Sequence, residues 1–323
     1  MIGRSTRRAA TGVLVGLGGW LAAACGASTG TSAPPAGGGG STSAPAATNP
    51  SVFVNPNLVV SVDWLKANAK APNVRIVDSR PAADYEKGHI PGAVNLPVVD
   101  TFDPGKDRNY PDTKEKLEAL FGNKGIGDGL RVITYDAGNG TDTTGSRLLW
   151  TLEYAGHTNV AWLDGGIKAW QAAAGELSTE AVTVPAAKFA SKIDPAKMPT
   201  KEQCETAIGD PTKVVLDARS PEEYRGDDVR AKFGGHIPGA VNIDYRLNYT
   251  PAGTLKAPPE LRQMYESKGV TANKEVIAHC QTGQRSSSTY LVLRLLGYNK
   301  VGNYVGSWVE WGNDAETKKV QGA

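Results

Sequence analysis

The sequence predicts an α/β protein built from two tandem repeats, each a mostly parallel sheet with helices on both faces. Three observations carry that prediction. The first is an internal duplication. Asp78-Ser79-Arg80-Pro81 followed by Tyr85 returns as Asp217-Ala218-Arg219-Ser220 followed by Tyr224, and Gly88-His89-Ile90-Pro91-Gly92-Ala93-Val94-Asn95 returns residue for residue as Gly235-His236-Ile237-Pro238-Gly239-Ala240-Val241-Asn242. A third block, Asn159-Val160-Ala161-Trp162 with Trp170, matches Lys300-Val301-Gly302-Asn303 with Trp311, and all blocks keep their order at an offset of about 140 residues. The second observation is alternation of short Val/Ile runs with stretches of helical spacing. The third is that these runs are rich in Val and Ile, which favours a mostly parallel sheet covered on both faces.

In the first repeat, strands are expected over 74–77, 93–96, 131–135 and 160–163, with helices over 114–121 and 146–155 between them. In the second, 201–208 reads as a helix, 275–278 as a buried strand and 290–296 as an apolar helix. The boundary falls within 177–199, rich in Ala, Lys and Pro. The expected domains are therefore 58–180 and 200–323, joined by a linker over 181–199.

The segment before the repeats reads as an address. Residues 1–24 hold Arg4, Arg7 and Arg8, no acid, and an apolar run over 13–24 that ends at Cys25. That run is too short for a permanent membrane span and has the form of a secretory signal. Ala22, Ala23 and Ala24 before Cys25 resemble a bacterial lipobox, with Ala where such boxes usually carry Leu three residues before the cysteine. The expectation is an exported lipoprotein, held at a membrane through lipid on Cys25. The stretch 25–57, with Gly37 to Gly40 in a row, is expected to be a flexible tether.

Charge narrows the function classes. The 323 residues carry 35 Lys+Arg against 33 Asp+Glu, and removing the signal leaves the chain at about −1. Such a balance gives no basic footprint for nucleic acid, so no nucleic-acid partner is expected. Three cysteines, Cys25, Cys204 and Cys280, make neither a disulfide framework nor a four-thiolate metal site, and the four histidines are scattered. No metal or organic cofactor is expected.

In open parallel sheets, ligands bind beyond the carboxyl ends of the strands. The residue there in the second repeat is Cys280, in His279-Cys280-Gln281-Thr282-Gly283-Gln284-Arg285, with a helix start directly behind it. Loop N–H groups and the helix N-terminus converge on such a sulfur and favour the thiolate, which is the nucleophile. Arg285 stands at a helix N-terminus, where a cation opposes the dipole, and that conflict points to anion binding. Cys204 lies inside a helix with no special turn and reads as a small core residue. His89 and His236 occur in both repeats and read as structural hydrogen-bonding groups, while His279 points away from its neighbour on the strand. Asp217 with Arg219, and Asp78 with Arg80, read as braces, with Arg219 kept as a secondary candidate for anion contact.

Together, Tyr85-x-x-x-His89-Ile90-Pro91-Gly92-Ala93, its partner Gly235-His236-Ile237-Pro238-Gly239-Ala240, the closing Val301-x-x-Tyr304-Val305-Gly306-Ser307-Trp308-Val309-Glu310-Trp311 and the Cys280 loop resemble the tandem-domain rhodanese family of sulfurtransferases, over about residues 58–313. The resemblance implies two rhodanese-like domains and a persulfide on Cys280. It further implies a donor such as thiosulfate, with cyanide or a small-molecule or protein thiol as acceptor. Gln281, Thr282, Gly283, Gln284 and Arg285 would then bind the substrate and steady the persulfide. Asp136 replaces the cysteine in the first repeat, and the segment from it to Gly156 is three residues longer than that from Cys280 to Gly297, so the first domain is expected to be inactive. Val305 departs from the acidic or small residue usual in the closing motif. Glu223 stands where many mammalian relatives carry an arginine.

Three alternatives remain open at this stage. One is a 3-mercaptopyruvate sulfurtransferase, although the loop lacks the Gly/Ser/Val pattern of those enzymes. Another is a cysteine phosphatase or arsenate reductase, whose loops place five residues between Cys and Arg where this chain has four. The third is a sulfur-carrier or interaction module without turnover.

Overall fold

A computed structural model describes residues 52–106 and 109–322. The first repeat runs β1 (Val59–Val60), α1 (Val62–Asn68), β2 (Val74–Asp78), α2 (Ala82–Lys87), β3 (Val94–Asn95), α3 (Lys114–Asn123), β4 (Arg131–Tyr135), α4 (Thr144–Tyr154), β5 (Val160–Leu163) and α5 (Gly166–Ala172). The second runs α6 (Lys201–Ala207), β6 (Lys213–Asp217), α7 (Pro221–Arg225), β7 (Val241–Asn242), α8 (Pro258–Glu266), β8 (Glu275–His279), α9 (Arg285–Leu295), β9 (Val301–Asn303) and α10 (Ser307–Trp311). The sheets are ordered β1-β5-β4-β2-β3 and β7-β6-β8-β9, and every paired strand is parallel. Both match the α/β expectation; β1, two residues long, has no counterpart in the second sheet and was not foreseen.

The central strands are buried because helices cover both faces, and their β-branched side chains pack into those layers. Two outer cores lie on separate faces, one around Ile76, Ile133 and Trp170, the other around Val215, Ile277 and Trp308. The inner core is shared. It joins Leu148, Trp150 and Phe121 of the first repeat to Tyr290, Leu293 and Tyr265 of the second. At its centre α4 meets α9, where Ser146 Oγ and Ser287 Oγ lie 3.2 Å apart. Serines allow that approach because longer side chains would hold two helix backbones apart. Farther along, Glu153 accepts a hydrogen bond from Tyr290 Oη at 2.8 Å and pairs with Arg294 at 3.3 Å. Both repeats belong to one compact body.

The duplicated motifs are braces. Arg80 grips Asp78 and the Gly88 carbonyl, and Arg219 grips Asp217 and the Gly235 carbonyl. His89 stacks on Tyr85 and His236 on Tyr224, with ring centroids 3.7 and 3.6 Å apart, and each ring Nδ1 lies within hydrogen-bond reach of the tyrosine carbonyl. The backbone of each histidine bridges an outlying strand segment, Ser178 for His89 and Val320 for His236.

Two of the segments outside the repeats pack on them. The linker assigned to 181–199 packs on the first repeat: Phe189 is buried against Phe121, and Ser191 Oγ donates to Ala155 O at 3.0 Å. The tether assigned to 25–57 is docked from residue 54 on. Val54 and Asn55 donate their N–H groups to Leu295 O at 2.9 and 3.1 Å, and Asn55 Nδ2 donates to Arg294 O at 2.7 Å. The last turn of a helix leaves carbonyls without intrahelical donors, and this segment supplies them from outside. The signal segment and Cys25 lie outside the described residues, and among the described residues no helix is long and apolar enough to cross a membrane.

Asn55→Ala removes one donor from that helix end. Urea unfolding is expected to show a loss of about 1 kcal/mol, with an unchanged denaturant slope.

Candidate active site

Cys280 follows β8 directly and is fully buried. Its backbone is held on both sides: its N–H donates to Ser307 Oγ at 3.2 Å, and its carbonyl accepts from Trp308 N at 3.0 Å. Ser307 holds a left-handed φ of 50°, a costly conformation for a non-glycine residue, and its hydroxyl also donates to Tyr304 O at 2.7 Å. The loop then turns through Gly283 at φ 75°, where a Cβ would come within 2.7 Å of Val305 Cα. Glycine is required there for both reasons. Val305, the departure from the closing motif, is the buried residue against which that glycine packs.

The Gly283 carbonyl accepts two donors, Asn303 Nδ2 and Arg147 Nη1, each at 2.8 Å. Ser286 Oγ lies 3.5 Å from Cys280 Sγ and 2.6 Å from Asn303 Oδ1, and its one hydrogen can serve either acceptor. Burial pushes the Cys280 thiol up, but the Arg285 charge, the Ser286 hydroxyl and the backbone N–H groups of Ser286 and Thr282 outweigh it. The net effect holds the thiol below its ordinary range.

Arg285 is not a loose cation. Its Nη1 and Nη2 donate to the two Glu223 oxygens at 2.6 and 2.7 Å, a bidentate pair. Glu223 is fixed in turn by a capping box at the start of α7, where Ser220 Oγ accepts from Glu223 N and Glu223 Oε2 accepts from Ser220 N, both at 3.3 Å. Burial works against the Glu223 carboxylate, yet Arg285 holds its pKa below the ordinary value. Arg230, half exposed, lies 3.9 Å from Glu223, and its carbonyl accepts from Gln281 Nε2 at 2.9 Å. Glu223 therefore ties Arg285 to the start of α7 through a bidentate salt bridge.

The remaining sequence candidates separate clearly. Gln281, Thr282, Gly283, Gln284 and Arg285 form one turn beside Cys280, with Thr282 and Gln284 part-exposed. Arg219 is 1% exposed and its guanidinium is committed to Asp217, the Gly235 carbonyl and the face of Trp308; it braces rather than contacting an incoming anion. His279 turns toward Asp217, with Nε2 3.6 Å from the carboxylate. Cys204 is buried in α6, and burial raises its thiol pKa. Sequence reasoning missed Ser286, Asn303, Ser307 and Arg147 as supports of the loop. The Ser-Pro-Glu-Glu run from Ser220 to Glu223 is a capping-box signal that could have anchored Glu223; Arg147 has no local signal.

The first repeat holds a carboxyl where the second holds sulfur. Asp136 accepts from Gly138 N at 2.9 Å, Trp162 Nε1 at 3.0 Å and Gly145 N at 3.3 Å, while burial and Asp142 push its pKa up to about 8. A turn of the second repeat lies against this loop, so that a Cβ on Gly253 would meet Gly138 O at 2.1 Å.

A rhodanese-like domain model matches residues 61–173 and 200–314. The chain is 37% identical over 269 residues to a thiosulfate sulfurtransferase of Pseudomonas aeruginosa, covering 83% of this chain and 98% of that relative. It is 32% identical over 282 residues to the sulfur carrier protein TtuD of Thermus thermophilus, covering 81% and 95%. Its fold is similar to the anaerobic ergothioneine biosynthesis enzyme of Chlorobium limicola at a TM-score of 0.73 and 23% identity, covering 83% of this chain and 71% of that one.

Asp136→Cys in a Cys280→Ser background is expected to take up no sulfur from thiosulfate by intact mass. The Asp136 loop offers no arginine beside the position and is covered by the second repeat; uptake of one sulfur would refute that account.

Proposed function

This chain belongs to the rhodanese family, with two tandem rhodanese-like domains, and on that premise we propose that it moves sulfane sulfur from thiosulfate to cyanide or a thiol through a persulfide on Cys280. The observation that carries the reading is a buried sulfur with a hydroxyl and two backbone N–H groups turned to it, under the charge of Arg285 at the start of the following helix. These donors favour a sulfur anion, whether the thiolate or the terminal sulfur of a persulfide.

The Cys280 thiolate attacks the outer sulfur of thiosulfate. The S–S bond of the donor breaks and sulfite leaves with its electron pair, so the negative charge passes to the terminal persulfide sulfur. Cyanide or a thiolate then attacks that sulfur, and Cys280 leaves as thiolate. No oxidant or reductant enters, and no proton is required beyond ionisation of the thiols. Arg285 spends two of its five N–H donors on Glu223. Three remain for the sulfonate oxygens of the donor and the departing sulfite. Glu223 fixes the guanidinium plane while trimming the net positive charge, which suits a small dianion that must also leave.

A sulfur-carrier role is the second reading, favoured by the likeness to the Thermus protein of that name. Turnover separates the two. The enzyme forms thiocyanate catalytically from thiosulfate and cyanide, whereas a carrier stops after one equivalent of persulfide. The side-by-side rate with 3-mercaptopyruvate decides the donor, and efficient hydrolysis of a phosphate ester would favour phosphatase chemistry.

Cys280→Ser is expected to fold normally and to abolish transfer, because the hydroxyl is close in size but holds no sulfane sulfur. Intact mass after thiosulfate treatment should show one added sulfur in the parent and none in the variant. A persulfide on Cys204 instead would overturn the assignment.

We further propose that the chain is exported and carries lipid on Cys25, supported by the arginine-flanked apolar run and the Ala22-Ala23-Ala24 sequence before it. Cys25→Ala should then move the protein from the membrane fraction to the soluble exported fraction. A parent protein already soluble after fractionation would refute the lipid anchor.

A further inference from the structure

Arg147 sits in α4 of the repeat that lacks the cysteine, and it is fully buried. Its guanidinium lies over Trp150 and Phe102, with centroid distances of 4.4 and 5.2 Å. Nη1 donates to the Gly283 carbonyl at 2.8 Å, Nη2 donates to the Asn109 carbonyl, and the Nε–H has no partner. Among the described residues no carboxylate forms an ion pair with it. A cation removed from water without an anion is costly, and carbonyls and ring faces offset only part of that cost. Burial works against the Arg147 cation, and among the described residues the charge that favours it is that of the Cys280 thiolate. The repeat supplies an internal comparison: Ser288 holds the equivalent place in α9, and its hydroxyl bonds back to Arg285 O at 3.0 Å within its own helix. An arginine at this position is thus particular to the helix that faces the catalytic loop from the other repeat.

We propose that Arg147 is a positioning residue for sulfur transfer, by which the repeat without a nucleophile clamps the Gly283 carbonyl and supplies a buried counter-charge to the Cys280 thiolate and to the persulfide that follows. The proposal rests on Cys280 being the nucleophile. Gly283 O is held from its own repeat by Asn303 and from the opposite repeat by Arg147. Losing the second donor frees the turn whose amides point at the sulfur. Among the described residues, the ionisable groups electrostatically coupled to Cys280 include Arg285 at the start of α9, Tyr245 in the turn after β7, and Arg147 from across the interface. Arg285 is tied to Glu223, whereas among the described residues no carboxylate pairs with Arg147.

The test uses the full chain as Arg147→Lys and Arg147→Met, each paired with its Cys280→Ser counterpart, so that ultraviolet thiolate absorbance reports Cys280 alone. The midpoint of Cys280 ionisation is expected to move up in Arg147→Met and to hold in Arg147→Lys. Persulfide formation from thiosulfate below that midpoint should slow about fivefold or more in Arg147→Met, while the plateau at high pH stays within about twofold of the parent. A merely structural role predicts equal loss at every pH and no shift in midpoint, and either finding overturns the proposal. Should Arg147→Met fail to fold, the parent carries the test. Its Arg147 Nε–H resonance, assigned by its loss in Arg147→Lys, should move with the same midpoint as Cys280; a resonance that stays fixed while Cys280 titrates also overturns it. The thiolate measurement needs no sulfur donor, so a protein that ionises as expected but takes no sulfur from thiosulfate refutes the proposed function and not the role of Arg147.

Discussion

The close packing of α4 against α9 is the constraint on which the rest of this structure depends. Both helices are buried along most of their length, and they meet through small residues at Ser146 and Ser287 before larger side chains fill the flanks. Because one inner core serves both repeats, neither can move relative to the other without opening apolar surface to water. That rigidity has a direct chemical use. The N-terminal turn of α9 carries Arg285 and Ser286, and the matching turn of α4 carries Arg147, so the contact that joins the repeats also fixes the groups around Cys280.

The site is a chain of mutual restraint. A capping box fixes Glu223, Glu223 orients Arg285, and Arg285 opposes the desolvation that would otherwise keep the Cys280 thiol protonated. On the other side, Ser307 in a strained backbone conformation receives the Cys280 N–H, and Asn303 links Ser286 to the Gly283 carbonyl. These buried polar groups hold one another. This is how a sulfur with no exposed surface can still favour the anion.

The two repeats show how one fold keeps or loses chemistry. The Asp–Arg brace and the Tyr–His stack persist in both, since each ties a loop to the sheet irrespective of activity. At the strand end they part. Asp136 draws three N–H donors inward and is sealed by a turn of the second repeat, whereas around Cys280 the donors stand about the sulfur. The first repeat closes its own strand end and reaches the Cys280 loop of the second through Arg147.

The sequence by itself determined the duplication, the parallel α/β class, the strand-end position of Cys280 and the loss of the nucleophile at Asp136. All of these follow from local pattern: β-branched runs, repeated motifs, and a glycine-containing turn between strand and helix. It also marked Glu223 as unusual without showing that Arg285 would bind it, because those residues lie 62 positions apart and meet only when α7 and α9 flank the same strand ends. The docking of Val54 and Asn55 on α9, the packing of 181–194 on the first repeat, the commitment of Arg219 to its brace and the reach of Arg147 to Gly283 were decided by tertiary structure alone. Composition marks a stretch as polar or flexible, and charge marks a side chain as able to bind an anion. Whether a helix end lacks donors, or a guanidinium is already taken, depends on neighbours that folding brings from distant parts of the chain.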